Sequence, residues 1–141
     1  MDGKDHKIIA ALQEGARTPL RKISKRVHMS ESAVRKRVKR LEHIGVIEGY
    51  TAVVNPSKLG YNTMAIIGLD VAAEKNREVI EALLKLDEVR KVITSTGEYA
   101  IMGTVWARDN SELKDIIQKI SRIDGVKKTN TEIILERIKD M

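Results

Sequence analysis

The sequence predicts an α+β protein, with an N-terminal helix-turn-helix unit, winged-helix-like in outline, followed by a ferredoxin-like βαββαβ sandwich domain. Three observations predict it. Apolar residues recur at helical spacing, with capping residues between the runs, through the first third of the chain. From residue 63 onward, β-rich and helix-periodic runs alternate in the order β-α-β-β-α-β. The charge divides at the same place: residues 1–50 hold 12 Lys and Arg against 6 Asp and Glu, while residues 51–141 hold 14 of each. The whole formal excess of +6 therefore lies in the first third, which suits a polyanion partner for that part of the chain. The expected division is 1–49 for the helix-turn-helix, 50–62 for a linker strand or hinge, and 63–141 for the α/β domain.

Each element follows from local pattern. Ile8, Ile9 and Leu12 after Asp5 give a first helix over about residues 4–14, ended near Gly15. Thr18 is placed to cap a second helix with Pro19 in its first turn, where a missing amide is harmless, and Leu20, Ile23 and Val27 form its buried stripe. His28-Met29 makes a short connection, and Ser30 caps a third helix that runs to about Ile44 and stops at Gly45. Val34, Val38 and Leu41 form the apolar stripe of that helix. Ser32, Lys36 and Lys39 fall on the opposite face, flanked by Arg35 and Arg40.

Two short helices joined by a tight turn, the later one basic on its free face, have the dimensions of a major-groove reader of double-stranded DNA. Ser30, Ser32, Arg35 and Lys36 lie near the start of the third helix, where side chains enter the groove, and Ser32, Arg35 and Lys36 are the expected base readers. Arg26, Arg37, Lys39 and Arg40 are expected on phosphates. Single-stranded targets fit poorly, because residues 1–49 contain no Phe, Tyr or Trp on which bases could stack.

Val46 to Val54 reads as an extended segment, a hinge or a strand able to pair with its copy in another subunit, broken by Asn55-Pro56 and turned at Gly60. Beyond it, Thr63–Ala72 is a β-run and Glu74–Leu86 an amphipathic helix. Val89–Thr96 and Tyr99–Ala107 are expected to form a hairpin about a tight Gly97-Glu98 turn, with Tyr99 and Trp106 both on the strand. Ser111–Ile123 is a second helix and Val126–Ile138 a last strand. Runs such as Ala65-Ile66-Ile67 and Ile133-Ile134-Leu135 are apolar on both faces, so the sheet face left open by the helices is expected to pack on a second copy.

Composition removes several alternatives. A chain of 141 residues that is 42% apolar and 33% charged is a folded one. The absence of cysteine rules out disulfides, thiolate catalysis and Cys-ligated zinc. No apolar stretch has bilayer length, and the first residues lack the pattern of a signal peptide, so a cytoplasmic protein with no membrane partner is expected. An enzyme is weakly supported. His6, His28 and His43 sit in the N-terminal third without triad or ligand spacing, and no phosphate-binding loop, dinucleotide fingerprint or nucleophile elbow is present. An architectural protein that coats DNA with little sequence preference stays open beside a sequence-specific regulator.

Taken together, Asp5-x-x-Ile8-Ile9, Ala16-Arg17-Thr18, Ser30-Glu31-Ser32-Ala33-Val34-x-x-Arg37-Val38-x-Arg40-Leu41-Glu42-x-x-Gly45-Val46-Ile47, Tyr50-Thr51-Ala52 and Asn55-Pro56-x-x-Leu59-Gly60 make the chain resemble the Lrp/AsnC family of transcription regulators over essentially its whole length. The resemblance implies a prokaryotic regulator that dimerises through its C-terminal sheets and assembles further, to tetramers, octamers or hexadecamers, with an amino-acid effector where dimers meet. No cofactor is implied. The effector pocket it implies is formed by the hairpin turn, here Gly97, Glu98, Tyr99 and Ala100, with Thr129 and Thr131 of the last strand. The open amides of Gly97 and Glu98 would receive a carboxylate, and Tyr99 would wall the side chain. Many amino-acid-binding members carry an Asp where this chain has Ala100. Some relatives are enzymes acting on haem precursors that depend on histidines in the α/β domain, and this chain has none there.

Overall fold

The computed structural model describes residues 1–140. The chain forms two compact units, Met1–Val53 and the part from Val54 onward.

The first unit is three helices: α1 (Gly3–Glu14), α2 (Leu20–Val27) and α3 (Glu31–His43). Asp2 and Asp5 cap α1 reciprocally, each carboxylate accepting from the other's amide at 2.9 and 3.1 Å. Ile8, Ala11, Ile23, Val27 and Val34 form a shared core, joined at its margin by Leu12, Leu20, Met29 and Val38. Each large apolar side chain fully withdrawn from water in this way stabilises the unit by about 1.5–3 kcal/mol. Thr18 does not cap α2: its hydroxyl donates to the Gly15 carbonyl at 2.6 Å, and Pro19 holds the cap position with no side-chain bond. Thr18 thus closes the preceding turn instead. Ser30 does cap α3, its Oγ accepting from the Ala33 amide at 3.1 Å. His28, at φ 56°, takes the left-handed turn that ends α2.

No strand forms between α3 and residue 62. The predicted extended segment at Val46–Val54 has no ladder partner among the described residues and leaves Val46, Tyr50 and Val53 exposed, so the three helices stand without a wing. Asn55 accepts from the amides of Ser57 and Lys58, which starts a short turn closed by Gly60 at φ 96°.

The second unit is β1 (Thr63–Val71), α4 (Asn76–Leu84), β2 (Val89–Thr94), β3 (Ile101–Ala107), α5 (Asn110–Ser121) and β4 (Val126–Ile133), with sheet order β2-β3-β1-β4 and every pair antiparallel. This is the ferredoxin-like order expected from the sequence. Ala65, Ile67, Leu69, Ile101 and Val105 point toward α4 and α5 and pack on Val79, Leu83, Leu113, Ile116 and Ile120. The other face carries Met64, Ile66, Gly68, Met102, Thr104 and Trp106, the alternate positions of the same strands.

Four strand boundaries differ from expectation, the smallest difference being that β1 ends at Val71 rather than Ala72. β4 ends at Ile133 rather than Ile138, because its partner β1 begins at Thr63; after Ile134 donates to the Met64 carbonyl, no strand remains to pair with. β2 stops at Thr94 and β3 starts at Ile101, so the hairpin is closed by the Ser95 amide on the Ala100 carbonyl and has a wider loop than a two-residue turn. Tyr99 accordingly lies in the loop and not on the strand with Trp106.

Candidate nucleic-acid interface and effector loop

The recognition surface begins with the way α3 is held. Val34 and Leu41 are fully buried, which fixes the rotation of the helix about its axis and turns Ser32, Arg35, Lys36, Lys39 and Arg40 into solvent. None of the four cations in that set has an ion-pair partner among the described residues. Ser30 is exposed, but its hydroxyl is engaged as the helix cap and lies 3.2 Å from Ser32 Oγ.

Two residues expected on phosphates have other work. Arg26 makes a bidentate pair with Glu14, Nη1 to Oε2 at 2.7 Å and Nη2 to Oε1 at 3.0 Å, tying α2 to the end of α1 and lowering the Glu14 pKa. Arg37 turns toward α1, with Nη1 at 2.8 and 2.7 Å from the two oxygens of Asp2 and 3.1 Å from Asp5 Oδ1. Arg26 faces one carboxylate and Arg37 two, so both offer a phosphate less uncompensated charge than Arg35, Lys36, Lys39 and Arg40 do. Arg21, Lys22 and Lys25 were not singled out from sequence. They are exposed along α2, unpaired among the described residues. Their spacing at i, i+1 and i+4 on the polar face of α2 was the signal that could have found them.

The Arg37 guanidinium and the Asp5 amide hold the Asp2 carboxyl at about 2, below its ordinary 3.8. Asp5 is also lowered, first by the Asp2 amide and, against the opposing effect of burial, by Arg37. A depressed carboxyl contributes stability above its unfolded pKa and loses it as pH falls through the folded one. The first unit is therefore expected to keep full stability down to about pH 4 and to lose this contribution toward pH 2. Acid titration of the helical circular dichroism checks this. A parent and an Asp2→Asn variant with the same acid midpoint would rule it out.

The six-residue segment Ser95–Ala100 forms the loop between β2 and β3. Ser95 Oγ accepts from the Gly97 amide at 3.0 Å, so that amide is not open as expected; Gly97 and Glu98 are exposed at the tip. Tyr99 folds back onto β1, where a Cβ added to Gly68 would lie 2.7 Å from its ring. The missing side chain at Gly68 is what admits the tyrosine. This places Tyr99 on the face away from the helices. Thr129 and Thr131 pair with Leu69 and Ile67 and so share the helix-side face. The chain thus does not bring Tyr99 and the two threonines into one pocket. Ala100 is half-buried and anchors the loop through its carbonyl.

At the other end of the open face, Arg90 lies 4.3 Å above the ring of Trp106, which meets Tyr61 at a centroid distance of 5.7 Å. Ile66 and Ile93 are exposed on the same face. Among the described residues no helix is long and apolar enough to cross a membrane.

Comparison with known proteins covers both units. The AsnC-type helix-turn-helix domain matches residues 1–42, and the Lrp/AsnC ligand binding domain matches residues 64–141. The chain is 49% identical over 140 residues to the transcriptional regulator LrpA of Pyrococcus horikoshii, covering 99% of each. It is 37% identical over 139 residues to the regulator LrpA1 of Halobacterium salinarum, covering 98% of each. Among solved structures, AsnC of E. coli superposes with a TM-score of 0.88 at 31% identity, over 100% of this chain and 97% of that one. A transcriptional regulator of Neisseria meningitidis in complex with L-methionine superposes with a TM-score of 0.89 at 27% identity, over 99% and 93%.

Proposed function

The chain belongs to the Lrp/AsnC family of transcriptional regulators, with a DNA-binding helix-turn-helix and a ligand-binding domain, and from that premise we propose that it reads a specific operator as an assembly of dimers and answers an amino-acid effector. The observation that carries the proposal is the free face of α3, where Ser32, Arg35, Lys36, Lys39 and Arg40 are exposed on a helix whose rotation is fixed by buried Val34 and Leu41. Ser32, Arg35 and Lys36, in the N-terminal half, reach base edges. Lys39 and Arg40, with Arg21, Lys22 and Lys25 of α2, hold phosphates, while Ser30 caps the helix and Arg26 and Arg37 fix the scaffold.

A second copy covers the open sheet face, supported by the half-exposed apolar surface of Ile66, Ile93, Met102 and Trp106. Two recognition helices related by a twofold axis then address half-sites about one helical turn apart. The effector, an amino acid as in the Neisserial complex, binds where copies meet. The separation of Tyr99 from Thr129 and Thr131 on opposite faces supports a site completed by another chain. Glu98, exposed at the loop tip, pairs with the ammonium group in place of the Asp that Ala100 replaces, and the Glu98 amide faces the carboxylate. The protein works in the cytoplasm.

The test is fluorescence anisotropy with the duplex upstream of the protein's own gene and a random duplex of equal length, at two salt concentrations. It is repeated with the common amino acids, including L-methionine, and with light scattering in parallel. A preference for the native duplex of about a thousandfold or more, surviving higher salt, is expected. One amino acid should shift both affinity and assembly size. Equal binding that weakens together would give the architectural reading, and a response to no amino acid would remove the effector.

A further inference from the structure

Arg37 occupies an unusual place for a cation in a recognition helix. It follows Val34 by three residues and precedes Leu41 by four, so it continues the buried stripe, while its sequence neighbour Lys36 is turned about 100° away into solvent. Its guanidinium meets the reciprocal Asp2–Asp5 cap that begins α1. The Asp5 side chain is only 4% exposed, and Arg37 is its only ion-pair partner among the described residues. One carboxylate of the pair is therefore buried and the other solvated, with a single guanidinium answering both.

We infer that Arg37 is a positioning residue of the DNA interface, a clamp from the middle of the recognition helix to the start of α1 that sets the angle at which Ser32, Arg35 and Lys36 are presented. The inference rests on the DNA-binding reading above. Apolar packing at Val34 and Leu41 fixes the rotation of α3, but such contacts are non-directional and set no bond geometry toward α1. The charge-assisted bonds from Arg37, which lies between those two contacts, add a directional attachment to the start of α1. The clamp acts through the protein and not through the phosphates. Its charge faces two aspartates, so docking on DNA displaces no counterion on its account.

These two roles differ in salt dependence. Loss of a phosphate contact lowers the slope of log affinity against log salt by about 0.9, whereas loss of a positioning contact weakens binding at unchanged slope. The experiment uses the full chain, an operator duplex and three proteins: parent, Arg37→Gln, and Arg37→Gln with Asp5→Asn. The double variant restores the charge balance, the side-chain amides at positions 37 and 5 can hydrogen-bond each other as a neutral form of the attachment, and asparagine can still accept the Asp2 amide. The single variant is expected to bind about tenfold more weakly, in the range of couplings between contacting residues, with the parent's salt slope. The double variant should recover to within about threefold of the parent at the same slope.

A slope reduced by about 0.9 in both variants, with no recovery in the double one, would overturn the clamp and return Arg37 to the phosphates. If Arg37→Gln fails to fold because Asp5 is left buried and unpaired, the slope of the double variant alone decides between the two. A parent that binds no duplex would instead overturn the DNA-binding reading itself, and is told apart by the parent titration.

Discussion

Replacing Arg35 and Lys36 together by alanine is expected to abolish the preference for operator over random duplex while leaving a substantial non-specific affinity. Each well-placed contact from an arginine or lysine to a guanine edge discriminates by about 2 kcal/mol, so losing both lowers specificity by roughly three orders of magnitude if their effects add. The scaffold is insensitive to the change. Both side chains are exposed and have no ion-pair partner among the described residues, and alanine is a stronger helix former than either. Stability should stay within about 0.5 kcal/mol of the parent. Competition anisotropy against specific and random duplexes measures the ratio directly. An unchanged ratio in the folded double variant would move base reading away from this half of α3.

The contrast between these residues and Arg26 or Arg37 marks where the sequence stopped being informative. Helical spacing assigned Val34 and Leu41 to the core and Arg35 and Lys36 to the free face, because an α-helix converts position into direction without reference to anything else. It also found the Ser30 cap, a contact spanning three residues. Spacing has no access to what lies across a helix pair. Arg37 meets Asp2 and Asp5 from 35 and 32 residues away, and Arg26 meets Glu14 from 12 residues away. Local sequence does not encode that the cap of α1 needs a cation from α3. The sheet shows the same limit. The four β-runs and their order were readable, yet the end of β4 depended on where β1 begins, which only the register reveals. Likewise the turn signal at Gly97-Glu98 was real, but the chain closes the hairpin one bond earlier, at Ser95 and Ala100, and folds Tyr99 into the gap left by Gly68.

The second large effect is expected at Gly103, in the middle of β3. Between Val89 and Lys91 the register of β2 against β3 slips, and the slip turns the Lys91 carbonyl oxygen onto the Cα of Gly103. A Cβ at this position would lie far inside van der Waals distance of that oxygen. Ile67 stands on the other side of the strand pair, at 3.7 Å from the same point. The obstruction is backbone, so no rotamer change relieves it; β2 must move away or its pairing with β3 must open. Gly68 makes the comparison instructive, because the atoms in the way there belong to the Tyr99 ring, which can swing out. Gly49 has nothing within 4 Å and an ordinary φ, so alanine there is harmless by the same measure.

Gly103→Ala is therefore expected to destabilise the second unit by about 3 kcal/mol, the upper end for overpacking, and to lower its melting midpoint by roughly 15 °C. Gly49→Ala should melt with the parent. Calorimetry of the three proteins at one concentration measures these shifts, and holding concentration fixed matters because association of copies would itself raise the midpoint. Should Gly103→Ala melt within about 2 °C of the parent, the slip between Val89 and Lys91 would have to be free to relax at little cost. The close approach of strands β2 and β3 would then not be what requires glycine at this position.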